Sequence, residues 1–368
     1  MRTATGLPDY APEIFPVSVA CRKREIGRKV ALLRCAEDED LLTKTRQVIA
    51  LLGGIDAVIR KGNKVFVKVN GTMARPKGDG AVVDAQVLWA VVQEAYAAGA
   101  AEVAIGDAGL LDRGGTLSIF EQLGYQEVAQ ATGATLIDLD LPPFARVTVP
   151  GGGLAYRSLL IREELRAFGV VLNVPKMKNH AATGVTLGLK NMFGMTPMNP
   201  IMGFTKASFH GQVPEGGLVQ STPRGRLARQ YAGEFLEGLP AGGSNDKLAR
   251  AIVDHNLVFP SSLVVVDGVI GMEGKGPWSG DPIRANVLVA GYDLVATDVV
   301  VARLMGYVPK ETPLFHYAVQ AGLGDLDFES IELVGDAFED LEMAFKHNPD
   351  YDAWVEEWLR DREIALAL

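Results

Sequence analysis

The chain has 368 residues, 48% hydrophobic and 22% charged, with a formal net charge of −9. That length can bury a large core and build one big or two ordinary domains. A pI near 5.2 argues against a general nucleic-acid binder, and no apolar run approaches the roughly 18 residues of a membrane span.

The opening stretch, MRTATGLPDYAPEIF, has no apolar signal core, and Pro8, Pro12 and Pro16 oppose regular structure. Residues 1–27 therefore read as an extension of a soluble, cytoplasmic protein, with neither nucleic acid nor a membrane as partner. Two cysteines, Cys21 and Cys35, are too few for a disulfide scaffold or a Cys-ligated cluster, so no iron–sulfur cluster is expected. Cys35 reads as a small hydrophobe at a buried strand end.

Lys29 to Cys35 reads as a first strand and Asp38 to Leu52 as a helix stopped by Gly53 and Gly54. Lys64 to Asn70 is a second strand, with Lys68 and Asn70 on one face at its end. A loop with Arg75, Lys77 and three glycines follows, and Asp84 is placed to cap the next helix. Glu102 to Asp107 is a third strand. This rhythm implies an α/β fold: a mostly parallel, Rossmann-like sheet with right-handed crossovers, flanked by helices and forming two lobes with a cleft. Such sheets bind ligands in the crevice at the carboxyl ends of their strands. Gly106 and Gly109 lack the full dinucleotide fingerprint, and Gly151 to Gly153 reads as a hairpin turn.

From Val170 to His210 the sequence is VVLNVPKMKNHAATGVTLGLKNMFGMTPMNPIMGFTKASFH. Glu164 and Glu215 are consecutive acids, and between them lie Arg166, Lys176, Lys178, Lys190 and Lys206. A cationic island in an acidic chain suits an anion. Lys176, Lys178 and His180 alternate, so an extended backbone points all three one way. Read as a helix, Thr183 to Gly194 puts Thr183, Thr186 and Lys190 on one face and Val185, Leu189 and Met192 on another. Lys206 and His210 close the stretch. Arg224, Arg226 and Arg229 belong to an excursion over 212–247, either a solvated surface helix or a lid over the cationic site. His255 reads as a packed or capping histidine.

In the last third, Ser262 to Asp267 is a buried strand, followed by a glycine-rich segment with Glu273, Lys275, Trp278 and Asp281. Ala285 to Ala290 is another strand, and Asp293 caps a helix to Leu304. Asp298, alone among apolar residues there, requires a buried partner. Ile331 to Val334 is the last strand. The α/β domain thus spans 28–336, and 337–368 forms a C-terminal helical tail. Trp354 and Trp358, at i and i+4, give that tail an aromatic face to dock on its own body or on a second copy, a homodimer.

The segments KVFVKVN, GAAEVAIGDAG, VVLNVPKMKNHAATGVTLGLKNMFG, VVVDGVIGMEGKGPWSGDP and DLVATDVVVARLMG, followed by GLGDLD, resemble, in that order, the domain of unknown function 362 family. The likeness covers Lys29 to Gly335. It implies an α/β architecture and little chemistry. Family members frequently carry a ferredoxin-like iron–sulfur module, and many bear an export signal. This chain lacks the cysteines for the first and the apolar leader for the second.

Three functions remain in view. The first is an enzyme on a small anionic metabolite, a carboxylate or phosphate, working by isomerisation, racemisation or elimination. Lys68, Lys176, Asn70, Asn191 and Thr186 would bind the substrate, and His180, Lys178, Lys190 and His210 would move protons. The second is a metal-dependent enzyme, with Asp107, Asp267, Glu273 and Asp298 offering hard oxygen ligands to a divalent metal such as Mg²⁺ or Mn²⁺, and His180 and His210 able to bind a transition metal. The third is a non-catalytic binder of an anion or cofactor that works with a redox partner.

Overall fold

Runs of Val, Leu and Ile bounded by glycine, proline and aspartate set the strands. The computed structural model describes residues 9–10, 27–109, 115–197 and 244–367. Lys206, His210, Cys21, Arg224, Arg226, Arg229 and almost all of the 212–247 excursion lie outside them. In chain order the first half holds β1 (Asp9–Tyr10), β2 (Lys29–Arg34), α1 (Leu41–Leu51), β3 (Lys64–Val69), α2 (Ala85–Ala97), β4 (Glu102–Asp107), α3 (Gly115–Gln122), α4 (Tyr125–Thr132), β5 (Thr135–Asp138), β6 (Phe144–Thr148) and β7 (Ser158–Arg162). The second half holds β8 (Val170–Val174), β9 (Lys176–His180), β10 (Gly184–Thr186), α5 (Gly188–Asn191), α6 (Ser244–Val258), β11 (Leu263–Glu273), β12 (Asp281–Gly291), α7 (Leu294–Leu304), α8 (Pro313–Gln320), β13 (Glu332–Gly335) and α9 (Pro349–Ala367).

Among the described residues ten strands make one sheet along the path β13-β2-β12-β11-β8-β3-β4-β5, with β9 beside β11 and β10 beside β9. The run β11-β8-β3-β4-β5 is parallel throughout, and β12 lies antiparallel to both of its neighbours. Alternate residues of each strand feed two separate cores. Phe66, Ala104, Val171, Val264 and Val287 face one side with α6, α7 and α8. Val65, Val67, Val103, Leu172 and Val265 face the other with α1 and α2. The mostly parallel sheet flanked by helices is therefore as the rhythm implies, and its two cores share one sheet. Asp40, Asp84 and Asp293 each accept a backbone N–H at a helix start. Cys35 is buried and free, and burial pushes its thiol up to about 11.

Two segments differ from the sequence expectation. The strand expected to end at Asp267 continues into the glycine-rich segment. β11 runs on through Glu273, and its pairing with β12 extends from Val264 opposite Gly291 to Glu273 opposite Asp281, crossing an irregularity between Gly268 and Ile270. Glycine at 268 and 271 lets neighbouring backbone and Met177 approach where a Cβ would collide. Thr183 to Gly194 is not one helix but β10 followed by the short α5, so Thr183 leaves the face proposed for it.

A smaller sheet, β1-β6-β7, stands apart. Its β6–β7 hairpin turns through Gly151 to Gly153, as the sequence suggests. Asp254 of α6 ties that turn to the body by accepting the N–H groups of Leu154, Ala155 and Tyr156 at 2.6–2.7 Å. The C-terminal α9 docks on its own chain: Trp358 packs against His316 and Tyr317, and Tyr351 covers Gly184 of β10. Asp254→Ala removes the acceptor of three backbone donors, two of them in buried hydrogen bonds, so unfolding in urea should show a loss on the order of 3 kcal/mol.

Candidate active site

The sheet changes its winding between β3 and β8. From β3 the chain crosses through α2 to β4, on the face of the second core. From β8 it moves the other way, through α6 to β11, over the first core. Adjacent parallel strands whose connections leave on opposite faces open a crevice at their carboxyl ends. Polar residues stand at the last or next-to-last position of these strands in an otherwise apolar setting: Lys68 on β3, Asp107 on β4 and Asn173 on β8.

Lys68 and Asp107 are fully buried and meet at 2.7 Å. The ammonium also donates to Val69 O at 2.8 Å and Asn191 Oδ1 at 3.1 Å. Burial pulls the Lys68 pKa below its ordinary value, and Asp107 opposes that pull. Asp107 accepts from Gly71 N at 3.0 Å and Ala108 N at 2.8 Å. Asn191 Nδ2 donates to Lys68 O at 3.1 Å and Asn173 Oδ1 at 2.8 Å. This network leaves few lone pairs open, so its part is to shape the floor.

α5, which carries Lys190 and Asn191, is four residues long and cannot hold itself. Asp298 of α7 accepts the N–H groups of Gly188 at 2.8 Å and Leu189 at 2.7 Å, pinning the helix start. This is the buried partner that an aspartate among apolar residues requires. Burial raises its pKa to about 7 against the pull of those two donors.

Above the floor lies a pocket of about 70 Å³. Lys178, His180, Thr186, Lys190, Asn70 and Lys68 line it, with Met73, Phe193, Pro277 and Trp278 as its apolar walls. Lys178 is buried and donates to a neutral acceptor, Ala81 O, at 2.6 Å. Burial, then repulsion from Lys190, lowers its pKa to about 7. Lys190 lies 4.9 Å from the centre of the Phe193 ring, and burial, then Lys68, lowers its pKa to about 8. Neither lysine has a carboxylate partner among the described residues. His180 Nδ1 accepts from Ala182 N at 3.0 Å, so the neutral ring carries its proton on Nε2. Asn70 Oδ1 and Thr186 Oγ1 are buried without a hydrogen-bond partner among the described residues.

The pocket thus gathers Lys68, Asn70, Lys178, His180, Thr186, Lys190 and Asn191. Lys176 does not join them. Its ammonium pairs with Asp267 at 2.7 Å, and both line a second cavity, of about 390 Å³, beside Arg75, Asp84 and Trp89. Strict alternation along β9 fails because its pairing with β11 slips between Asp267 and Met272. The four proposed metal carboxylates do not converge either. Asp107 pairs with Lys68, Asp267 with Lys176, and Glu273 with Lys346 at 3.1 Å, while Asp298 holds the start of α5. Among the described residues no group of three or more His, Cys, Asp or Glu side chains is placed to hold a metal ion. His255 is packed, with Nδ1 2.7 Å from Ala251 O and Nε2 2.9 Å from Thr196 Oγ1.

A family profile described as a domain of unknown function (DUF362) matches residues 65–303, which include every residue lining the pocket. The chain belongs to that family. A thylakoid-associated protein of Synechocystis sp. is 26% identical over 299 residues, covering 81% of this chain and 80% of that protein. No solved structure matches the chain. No helix among the described residues is long and apolar enough to cross a membrane.

Sequence reasoning missed Gly194, Phe193, Met73 and Pro277. Gly194 carried a signal only in three dimensions: a Cβ there would strike Asp107 Oδ1 and lie 2.6 Å from Lys68 Nζ. Gly194→Ala should therefore split the buried pair and lower stability by about 3–5 kcal/mol in denaturant unfolding, where a surface Gly→Ala change is nearly neutral.

Proposed function

We propose that this protein is a cytoplasmic enzyme that binds a small anionic metabolite in the pocket and moves a proton on it. The carrying observation is the pair Lys178 and Lys190, two cations at one pocket without a carboxylate partner among the described residues. Buried charge is costly unless compensated, and a bound carboxylate or phosphate supplies the compensation.

The same pair supports acid–base chemistry. A lysine with a pKa near 7 is partly neutral at physiological pH, and its amine is then a competent base. Lys178 fits that role and Lys190 the anion's counter-charge. His180 fits a donor through Nε2, because Nδ1 is already engaged by Ala182 N. Removal of a proton beside a carboxylate, followed by return or elimination, matches this set. Isomerisation, racemisation and elimination all begin with that step. A non-catalytic binder would use the same lysines, and product mass spectrometry after incubation with candidate metabolites separates the two.

Lysine charge makes the anion site dependent on pH. Sulfate keeps its own charge constant across the neutral range. Its affinity, read by thermal shift, should fall on the order of tenfold between pH 6 and pH 9 as Lys178 and Lys190 lose their protons. A flat profile would remove the two lysines from the reading.

Stability moves the opposite way. The folded-state pKa of Lys178 lies below its unfolded value of 10.5, so the unfolded chain binds more protons between about 7 and 10.5 and stability rises with pH in that window. Lys178→Met should be more stable than the parent at pH 6, by roughly 3–5 kcal/mol at most. The gap should narrow as pH rises from 7 towards 10.5, followed by urea unfolding at each pH.

A further inference from the structure

Charge alone does not account for the pocket. Two of its buried polar atoms, Asn70 Oδ1 and Thr186 Oγ1, have no hydrogen-bond partner among the described residues, and their residues are each 4% exposed. Buried polar atoms are rarely left so, and each one costs stability until a partner arrives. An amide oxygen can only accept. A plain carboxylate, a sulfate or a phosphate monoester dianion only accepts, so none of these would satisfy Asn70 Oδ1. The ligand must therefore bring a donor of its own.

Two neutral or charged groups can supply that donor, a hydroxyl or an ammonium. Electrostatics decides between them. Lys68, Lys178 and Lys190 all line the pocket, and Asp107 is the counter-charge already paired with Lys68. An added ammonium would be repelled by Lys178 and Lys190, whereas a hydroxyl carries no such penalty. Size and wall chemistry narrow the choice further. The free space is about 70 Å³, and none of Met73, Phe193, Pro277 and Trp278 carries a carboxylate to neutralise a second positive charge.

We propose that the ligand is a small monocarboxylate that also carries a hydroxyl group, with Asn70 Oδ1 accepting the hydroxyl proton and Thr186 Oγ1 completing its hydrogen bonding. The inference rests on the anion reading above and adds what that reading lacks, the second recognition element. The carboxylate lies against Lys178 and Lys190, and the hydroxyl is the specificity handle. A site that hydrogen-bonds a substrate hydroxyl rejects the analogue without it, because the site's own polar groups are then left unpaired.

Binding of four probes to the full chain at pH 6.5, by calorimetry and thermal shift, tests this: glycolate, acetate, glycine and sulfate. Glycolate should bind at least ~10-fold more tightly than acetate, and glycine no more tightly than acetate. Asn70→Leu should bring glycolate down to the acetate level. Thr186→Val, which replaces a hydroxyl with no partner by a methyl of the same shape, should keep or raise the melting temperature and still weaken glycolate more than acetate. That variant keeps the test valid if Asn70→Leu fails to fold. Equal binding of glycolate and acetate, both weakened by Lys178→Met, would overturn the hydroxyl inference and leave the anion reading standing. Glycine binding most tightly would overturn it as well. Sulfate and all three organic probes failing to bind would overturn both.

Discussion

The structure turns on one buried ion pair. Lys68 and Asp107 end neighbouring parallel strands, and each would be untenable without the other in an interior that excludes water. Together they fix the carboxyl edge of β3 against β4. The remaining capacity of the pair is spent on backbone: Asp107 orients Gly71 and Ala108, and Lys68 holds Val69 and Asn191. The loop leaving β3 and the short α5 are both placed by this contact. Gly194 must be glycine because the chain passes too close to the pair for any side chain.

Two further lysines stand above that neutralised base, and their surroundings differ from those of Lys68 in kind. Lys178 has a carbonyl and Lys190 an aromatic face where Lys68 has a carboxylate. Lys178 is nearly as buried as Lys68, and Lys190 is half-buried, so among the described residues neither charge is compensated as that of Lys68 is. Asp298 extends the pattern by holding the start of α5 from the far side of the core. A helix of one turn is thereby made rigid enough to present Lys190 and Asn191 in a fixed direction.

The second cavity shows how the two faces of β9 diverge. Lys176 and Lys178 are two residues apart, yet one closes an ion pair with Asp267 and the other reaches Ala81 across the pocket wall. Asp267 in turn accepts from Asp84 N at the head of α2. The segment from Asn70 to Asp84 is thus held at its far end by both lysines, one directly and one through a carboxylate. The division of a sequence-adjacent lysine pair into a structural member and a pocket member follows from the slipped pairing of β9 with β11.

Much of this was legible in the chain itself. Strand and helix rhythm, capping aspartates and glycine stops are local signals, and the strand ends and helix starts of the parallel core follow from them. So does the cationic character of Val170 to His210, because a long gap between acids needs no folding to be read. What the sequence could not determine is which charge meets which. Lys68 with Asp107, Lys176 with Asp267 and Asp298 with α5 are separated by 39, 91 and about 110 residues, as the pairings show. Nor could it show that Asp107, Asp267 and Glu273 would each be taken by a lysine rather than meet at a metal. Local propensity and pattern are written residue by residue. Charge compensation in a buried crevice depends on which strands the sheet brings together, and only the tertiary structure decides that.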